Sequence, residues 1–160
     1  MRPIAVLRLA VLLLVIPLGG PAAAQTPRFA PDLPEELVTQ LMAHARSDLS
    51  RVTGSAGVPN ESLLERNDTL LSITDARAVI DVGSATGAAR WCALDWRSNL
   101  AHLVAEERAR PGRSERQIAF IGALHAHAMA AFLDERQDHQ CTASERAAVV
   151  DYMRRRWSGQ

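Results

Sequence analysis

Two carboxylates, Asp81 and Asp95, lie in a largely apolar part of the sequence. Asp95 is next to Trp96 in the sequence. A carboxyl group that is desolvated beside a tryptophan holds its proton more tightly and can act as a general acid. Arg77 precedes Asp81 by four residues, a spacing that allows the two side chains to pair on one helix face. Because structural ion pairs also perturb carboxylates, Asp81 and Asp95 are only weak candidates for catalysis.

The five histidines offer metal ligands, but their spacing is poor. His125 and His127 are two residues apart, so on a helix they point to different faces. His125 and Met129 are four apart and share a face, where an imidazole and a thioether suit copper. Two ligands do not complete a site, so His125 and Met129 are weak candidates and we expect neither a metal nor another cofactor.

The only two cysteines are Cys92 and Cys141. An exported chain with two cysteines most simply forms one disulfide, whereas a reactive or metal-binding thiol is the alternative. A bridge that closes this loop contributes roughly 4 kcal/mol by reducing the entropy of the unfolded chain. We predict that it joins the start of the last helix to the middle of a long helical segment.

Residues 79–87 have the sequence VIDVGSATG. This stretch resembles the first motif of Rossmann-like methyltransferases, in which a strand ends in an acid and a glycine-rich turn approaches S-adenosylmethionine. Ala85 stands where that family has its middle glycine, and the flanking segments have helical spacing. We therefore favour a helix on which Gly83 and Gly87 share a face and admit another helix closely. A ligand site on these glycines is the alternative.

The first 24 residues have the order of a secretory signal peptide. Arg2 and Arg8 come first, an apolar run from Leu9 to Leu18 follows, and small residues end the segment at Ala24. The run is shorter than the roughly 20 residues that cross a bilayer. We predict cleavage after Ala24, a flexible leader (25–32), an all-helical domain (33–160) and a periplasmic or secreted location.

Helical spacing and capping residues recur along the rest of the chain. A first helix is predicted over 31–52, and a short one after Asn60. The long segment 73–110 should bend, either between Gly83 and Gly87 or near Ser98–Asn99, because one straight helix of that length would be about 55 Å long. Capping boxes are predicted to open the last two helices, at Ser114 with Gln117 and at Thr142 with Glu145. The sequence therefore predicts a single all-α bundle of four to five helices with one disulfide.

The composition is that of a globular protein: 160 residues, 48% apolar and 22% charged, with zero net charge. That balance disfavours a general nucleic-acid-binding surface. No catalytic spacing is assembled, so we expect a non-enzymatic module that binds an envelope protein, or a small apolar ligand between helices. Weak candidates for ligand contact are Gly83, Gly87, Trp91 and Trp96. One alternative is a hydrolase or lyase that uses Asp81, Asp95 or the Glu106–Glu107 pair, and another is a His/Met metal-binding protein.

Overall fold

The computed structural model describes residues 29–30, 33–55 and 69–158. Within these ranges the chain forms five packed helices and no strand, which confirms the predicted all-α fold. The predicted signal peptide and the short helix expected after Asn60 lie outside the described residues. The helices are α1 (Glu35–Ser55), α2 (Ile73–Trp91), α3 (Arg97–Ala109), α4 (Glu115–Glu135) and α5 (Ala143–Trp157).

Helix α2 is the centre of the bundle and contacts each of the other four helices. Its first turn is capped by Ser72, whose hydroxyl oxygen accepts a hydrogen bond from the N–H of Asp75 at 3.0 Å. Residues 82–89 are all buried, although few of them are large. Small side chains let neighbouring helices approach α2 from several sides, so this helix lacks the single apolar stripe of a surface helix.

The predicted long helical segment, residues 73–110, is broken between α2 and α3. The alternative prediction, a bend between Gly83 and Gly87, is wrong. The helix continues through Gly83 and Gly87 and ends at Trp91. Ala93 then takes a left-handed conformation with φ of 54°, and the N–H of Leu94 donates to the carbonyl of Ala89 at 2.8 Å. The break at residues 92–96 is close to the other predicted position, near Ser98–Asn99.

Both predicted capping boxes are present at the starts of α4 and α5. The Ser114 hydroxyl accepts from the N–H of Gln117 at 3.2 Å, and the Gln117 side chain accepts from the N–H of Ser114 at 3.0 Å. Thr142 and Glu145 make the same reciprocal pair at 3.2 and 2.9 Å. These four bonds satisfy N–H groups that a helix start would otherwise leave unpaired.

The predicted disulfide between Cys92 and Cys141 is present, with Cα atoms 5.1 Å apart. Cys92 is the C-cap of α2 and directly follows Trp91, and Cys141 directly precedes Thr142, the cap of α5. Because the long segment is two helices, the bridge fixes the start of α5 to the end of α2 and not to the middle of a longer helix. A small apolar cluster of Ala88, Ala89, Cys92 and Val149 surrounds it.

A larger core lies between α1, α2 and α4. Its biggest fully buried side chains include Phe120, Leu71 and Ile80, and burying each of them contributes about 1.5–3 kcal/mol. Within the described ranges, no helix is both long enough and apolar enough to span a membrane.

Candidate functional site

The Asp81 carboxylate, in the middle of α2, holds the main chain of a segment that precedes α1. Its Oδ1 atom accepts hydrogen bonds from the N–H of Phe29 at 2.7 Å and from the N–H of Ala30 at 3.1 Å. Its Oδ2 atom accepts from the hydroxyl of Tyr152, on α5, at 2.7 Å. Bonds from neutral donors to a carboxylate are about twice as strong as bonds between neutral groups, so Asp81 anchors two separate parts of the chain.

Arg77 lies one turn before Asp81 and contacts the same segment. The predicted Arg77–Asp81 ion pair is not among the contacts of the described residues. The Arg77 guanidinium donates instead to the carbonyl oxygen of Leu33. We call Phe29, Ala30 and Leu33 the docked segment, and Arg77 with Asp81 the α2 clamp. The clamp supplies a donor for a main-chain carbonyl and an acceptor for two main-chain N–H groups, which are the two kinds of hydrogen bond that a peptide main chain offers.

The side chain of Phe29 lies among aromatic residues from two other helices. Its ring meets Tyr152 of α5 edge to face, with centroids 5.2 Å apart and planes at 87°. The ring of Phe132, on α4, has its centroid 6.5 Å from that of Phe29 with the planes at 67°. The centroid of Trp91 lies 6.2 Å from that of Phe132. Edge-to-face pairs of this kind contribute about 0.5–1.5 kcal/mol beyond the area they bury. The docked segment is therefore held by its side chain as well as by its main chain.

The electrostatics keep Tyr152 as a hydrogen-bond donor. Burial raises the pKa of its hydroxyl well above the usual range, and the negative charge of Asp81 raises it further. Arg156 lies close enough to act in the opposite direction, but it is already paired with Glu106. The hydroxyl proton therefore stays on Tyr152 at any physiological pH, so Tyr152 remains the donor in its bond to Asp81.

Asp95, the second predicted catalytic carboxylate, is not brought near Asp81. It lies in the break after α2, separated from Asp81 by about 15 Å of helix. The expectation that it is desolvated in an apolar stretch is wrong, since Asp95 is exposed and accepts from the N–H of Arg97 at 3.2 Å. The described structure therefore contains no Asp81–Asp95 acid–base pair.

The Glu106 and Glu107 carboxylates belong to one ion-pair network, since Arg110 lies 3.6 Å from Glu106 and 3.2 Å from Glu107. Glu107 is buried and accepts a hydrogen bond from Arg113 at 2.9 Å. Glu106 is engaged by Arg156 from α5. Both carboxylates of the pair are therefore held by guanidinium groups.

Gly83 and Gly87 face α4, and no ligand space lies over them. A Cβ atom on Gly83 would be 2.7 Å from the carbonyl oxygen of His125 and 2.8 Å from the Cβ of Ala128. A Cβ atom on Gly87 would be 2.9 Å from the carbonyl oxygen of Met129. These glycines therefore do what the helical interpretation predicted, which is to let another helix approach α2 closely.

Trp91 and Trp96 are held by polar and cationic neighbours. The indole N–H of Trp91 donates to the carbonyl of His139 at 2.9 Å. Trp96 has the guanidinium groups of Arg90 and Arg97 within 5.6 and 5.3 Å of its ring centroid. Trp91 borders the docked segment through Phe132, whereas Trp96 lies in the α2–α3 connection.

His125 is buried between α2 and α4, where it does not meet a set of metal ligands. The Thr86 hydroxyl donates to the carbonyl of Val82 at 2.8 Å, so its oxygen accepts from Nε2–H of His125 at 3.0 Å. Burial lowers the pKa of His125 to about 4. Across the described residues, no three His, Cys, Asp or Glu side chains are placed to hold a metal ion. The observed partner of the His125 ring is therefore Thr86, and the predicted pair with Met129 is not among the contacts of the described residues.

The site contains residues that the sequence analysis did not select, namely Phe29, Ala30, Tyr152 and Phe132. Their hydrogen bonds to Asp81 join positions 51 to 71 residues apart, and their ring contacts with one another join positions that are farther apart still. Local spacing does not reveal such pairs. The available signals were an aromatic residue inside the predicted leader and an acid within an apolar helix. Comparisons of this chain with protein-family models, curated proteins and solved structures find no match.

Proposed function

We propose that this protein is an exported, non-enzymatic interaction module that binds a short, bent peptide segment of another envelope protein. The export part of the proposal is supported by residues 1–24, which have the composition and order of a signal peptide. The binding part is supported by one observation, the α2 clamp. Arg77 and Asp81 hold main-chain groups of a peptide segment, and aromatic residues surround its Phe29 side chain.

The geometry favours a protein partner over a small apolar ligand. Asp81 accepts hydrogen bonds from two successive main-chain N–H groups, and an apolar small molecule has no such donors. An unpaired carboxylate in a partly buried site is costly, so the occupant must satisfy it. A peptide that presents consecutive N–H groups does this, as the docked segment does now.

The docked segment occupies the site from within the same chain, so a partner has to replace it. A tethered occupant has an effective concentration in the millimolar range. Binding from outside is therefore weak until the docked segment is released. Phe29→Pro releases the docked segment, because proline lacks the N–H that donates to Asp81 at 2.7 Å. The substitution also removes the aromatic ring. Since Phe29 precedes α1, this change leaves every helix intact.

The test measures peptide binding to the full chain. A fluorescent peptide of residues 25–34 (QTPRFAPDLP) is titrated with the wild-type protein and with Phe29→Pro, and its anisotropy is followed. We expect clear binding to Phe29→Pro and at least about tenfold weaker binding to the wild type. The double variant Phe29→Pro, Asp81→Ala should bind the peptide at least about tenfold more weakly than Phe29→Pro alone, because two hydrogen bonds to a charged group are lost.

Asp95→Ala in the same background is the matched control, since Asp95 is an exposed carboxylate outside the clamp. It should leave binding unchanged. Circular dichroism establishes that each variant is folded. A folded Phe29→Pro protein that binds no peptide, or one that loses as much affinity with Asp95→Ala as with Asp81→Ala, would overturn the proposal.

A further inference from the structure

We infer that the partner segment carries an aromatic residue followed directly by a small residue, with both main-chain N–H groups unsubstituted. This inference rests on the proposed function and specifies which peptides the site accepts. It comes from the way in which Phe29 and Ala30 are held at Asp81.

The first position requires an aromatic ring. Phe29 lies edge to face against Tyr152 and near Phe132, with its N–H only 2.7 Å from the Asp81 carboxylate. The same residue therefore fills the aromatic cluster and donates the shorter of the two main-chain bonds. An aliphatic side chain has no ring to take part in an edge-to-face contact, so it loses the directional part of the interaction.

The second position requires a small residue. Ala30 is half-buried and packs against the main core between α1, α2 and α4, while its N–H stays 3.1 Å from Asp81. A longer side chain would have to enter a close-packed core or pull the N–H away from the carboxylate. The geometry of the two positions together thus demands an aromatic–small pair.

Neither position accepts proline or an acidic residue. Proline removes the N–H that Asp81 accepts. An acidic side chain would bring a second negative charge beside Asp81, whose partners among the described residues are all neutral donors. These exclusions separate the inferred class from apolar peptides in general.

The test is a peptide panel measured against the folded, full-chain Phe29→Pro variant. The parent peptide QTPRFAPDLP is compared with analogues that carry tyrosine or alanine in place of phenylalanine, and leucine in place of the following alanine. Two further analogues carry an N-methyl group, one on the phenylalanine amide and one on the alanine amide, the two groups that donate to Asp81. A scrambled peptide of the same composition is the control.

We expect tyrosine to bind within about threefold of the parent peptide, because it keeps the ring contact. The alanine, leucine and both N-methyl analogues should bind at least about tenfold more weakly. Equal affinity across the panel would overturn the inferred specificity and leave peptide binding itself standing. No binding by the parent peptide would overturn both the specificity and the proposed function.

Discussion

Replacement of Gly83 by alanine tests how closely α2 and α4 are packed. The added methyl group would lie 2.7 Å from the carbonyl oxygen of His125 and 2.8 Å from the Cβ of Ala128. Ordinary van der Waals contacts begin near 3.4 Å. One of the two obstacles is backbone, which cannot rotate away, so the helices must separate.

The size of the effect follows from two opposing contributions. Overpacking a close-packed interior costs about 1–3 kcal/mol. Alanine in place of a helical glycine contributes up to about 1 kcal/mol in the opposite direction. The net expectation for Gly83→Ala is a loss of up to about 2 kcal/mol of the free energy of unfolding.

Gly122, on α4, is the matched control. A Cβ atom there meets nothing within 4 Å, so Gly122→Ala should stabilise the protein by about 0.5–1 kcal/mol. The helix-propensity gain is common to both substitutions, and the difference between the variants therefore isolates the packing cost. Urea unfolding followed by circular dichroism measures this difference. If both variants were stabilised to the same degree, the close α2–α4 approach would be refuted.

Three further predictions concern other parts of the bundle. The pKa of His125 is about 4 in the folded protein against 6.5 in an unfolded chain, so its contribution to stability is full above pH 6.5 and is lost as the pH falls towards 4. The loss in the free energy of unfolding is on the order of 3 kcal/mol. Urea unfolding across this pH range should show a steeper decline for the wild type than for His125→Gln. Replacing Cys92 and Cys141 by alanine should cost roughly 4 kcal/mol in the same assay, and a loss equal to zero would contradict the role given to the bridge. Tyr152→Phe removes one donor from Asp81 and should cost about 1.5–3 kcal/mol; unchanged stability would show that this bond is not formed in solution.

The features that the sequence predicted correctly are encoded over short distances. Ser114 and Thr142 each precede a glutamine or glutamate at the spacing of a capping box, and both boxes formed. The disulfide was predictable because the chain offers only one way to pair two cysteines. In each case the residues that decide the structure are adjacent in the sequence or have no competing partner.

The features that the sequence did not predict depend on packing between distant segments. Helix α2 continues through Gly83 because α4 fills the space that a glycine leaves, and this outweighs the weak helix propensity of glycine. Arg77 has the spacing to pair with Asp81, but both side chains turn to the main chain of the docked segment. Neither outcome follows from spacing on one helix, because the deciding neighbours come from α4 and from the residues before α1.

The most direct test of the central claim is to locate the bound peptide by nuclear magnetic resonance. Isotope-labelled full-chain Phe29→Pro protein is titrated with the unlabelled peptide of residues 25–34. We expect the largest chemical-shift changes around Arg77 and Asp81, which form the clamp, and around Tyr152, which donates to Asp81. Changes confined to the exposed face of α5 around Val150, or no changes at all, would contradict the assignment of the α2 clamp as a peptide-binding site.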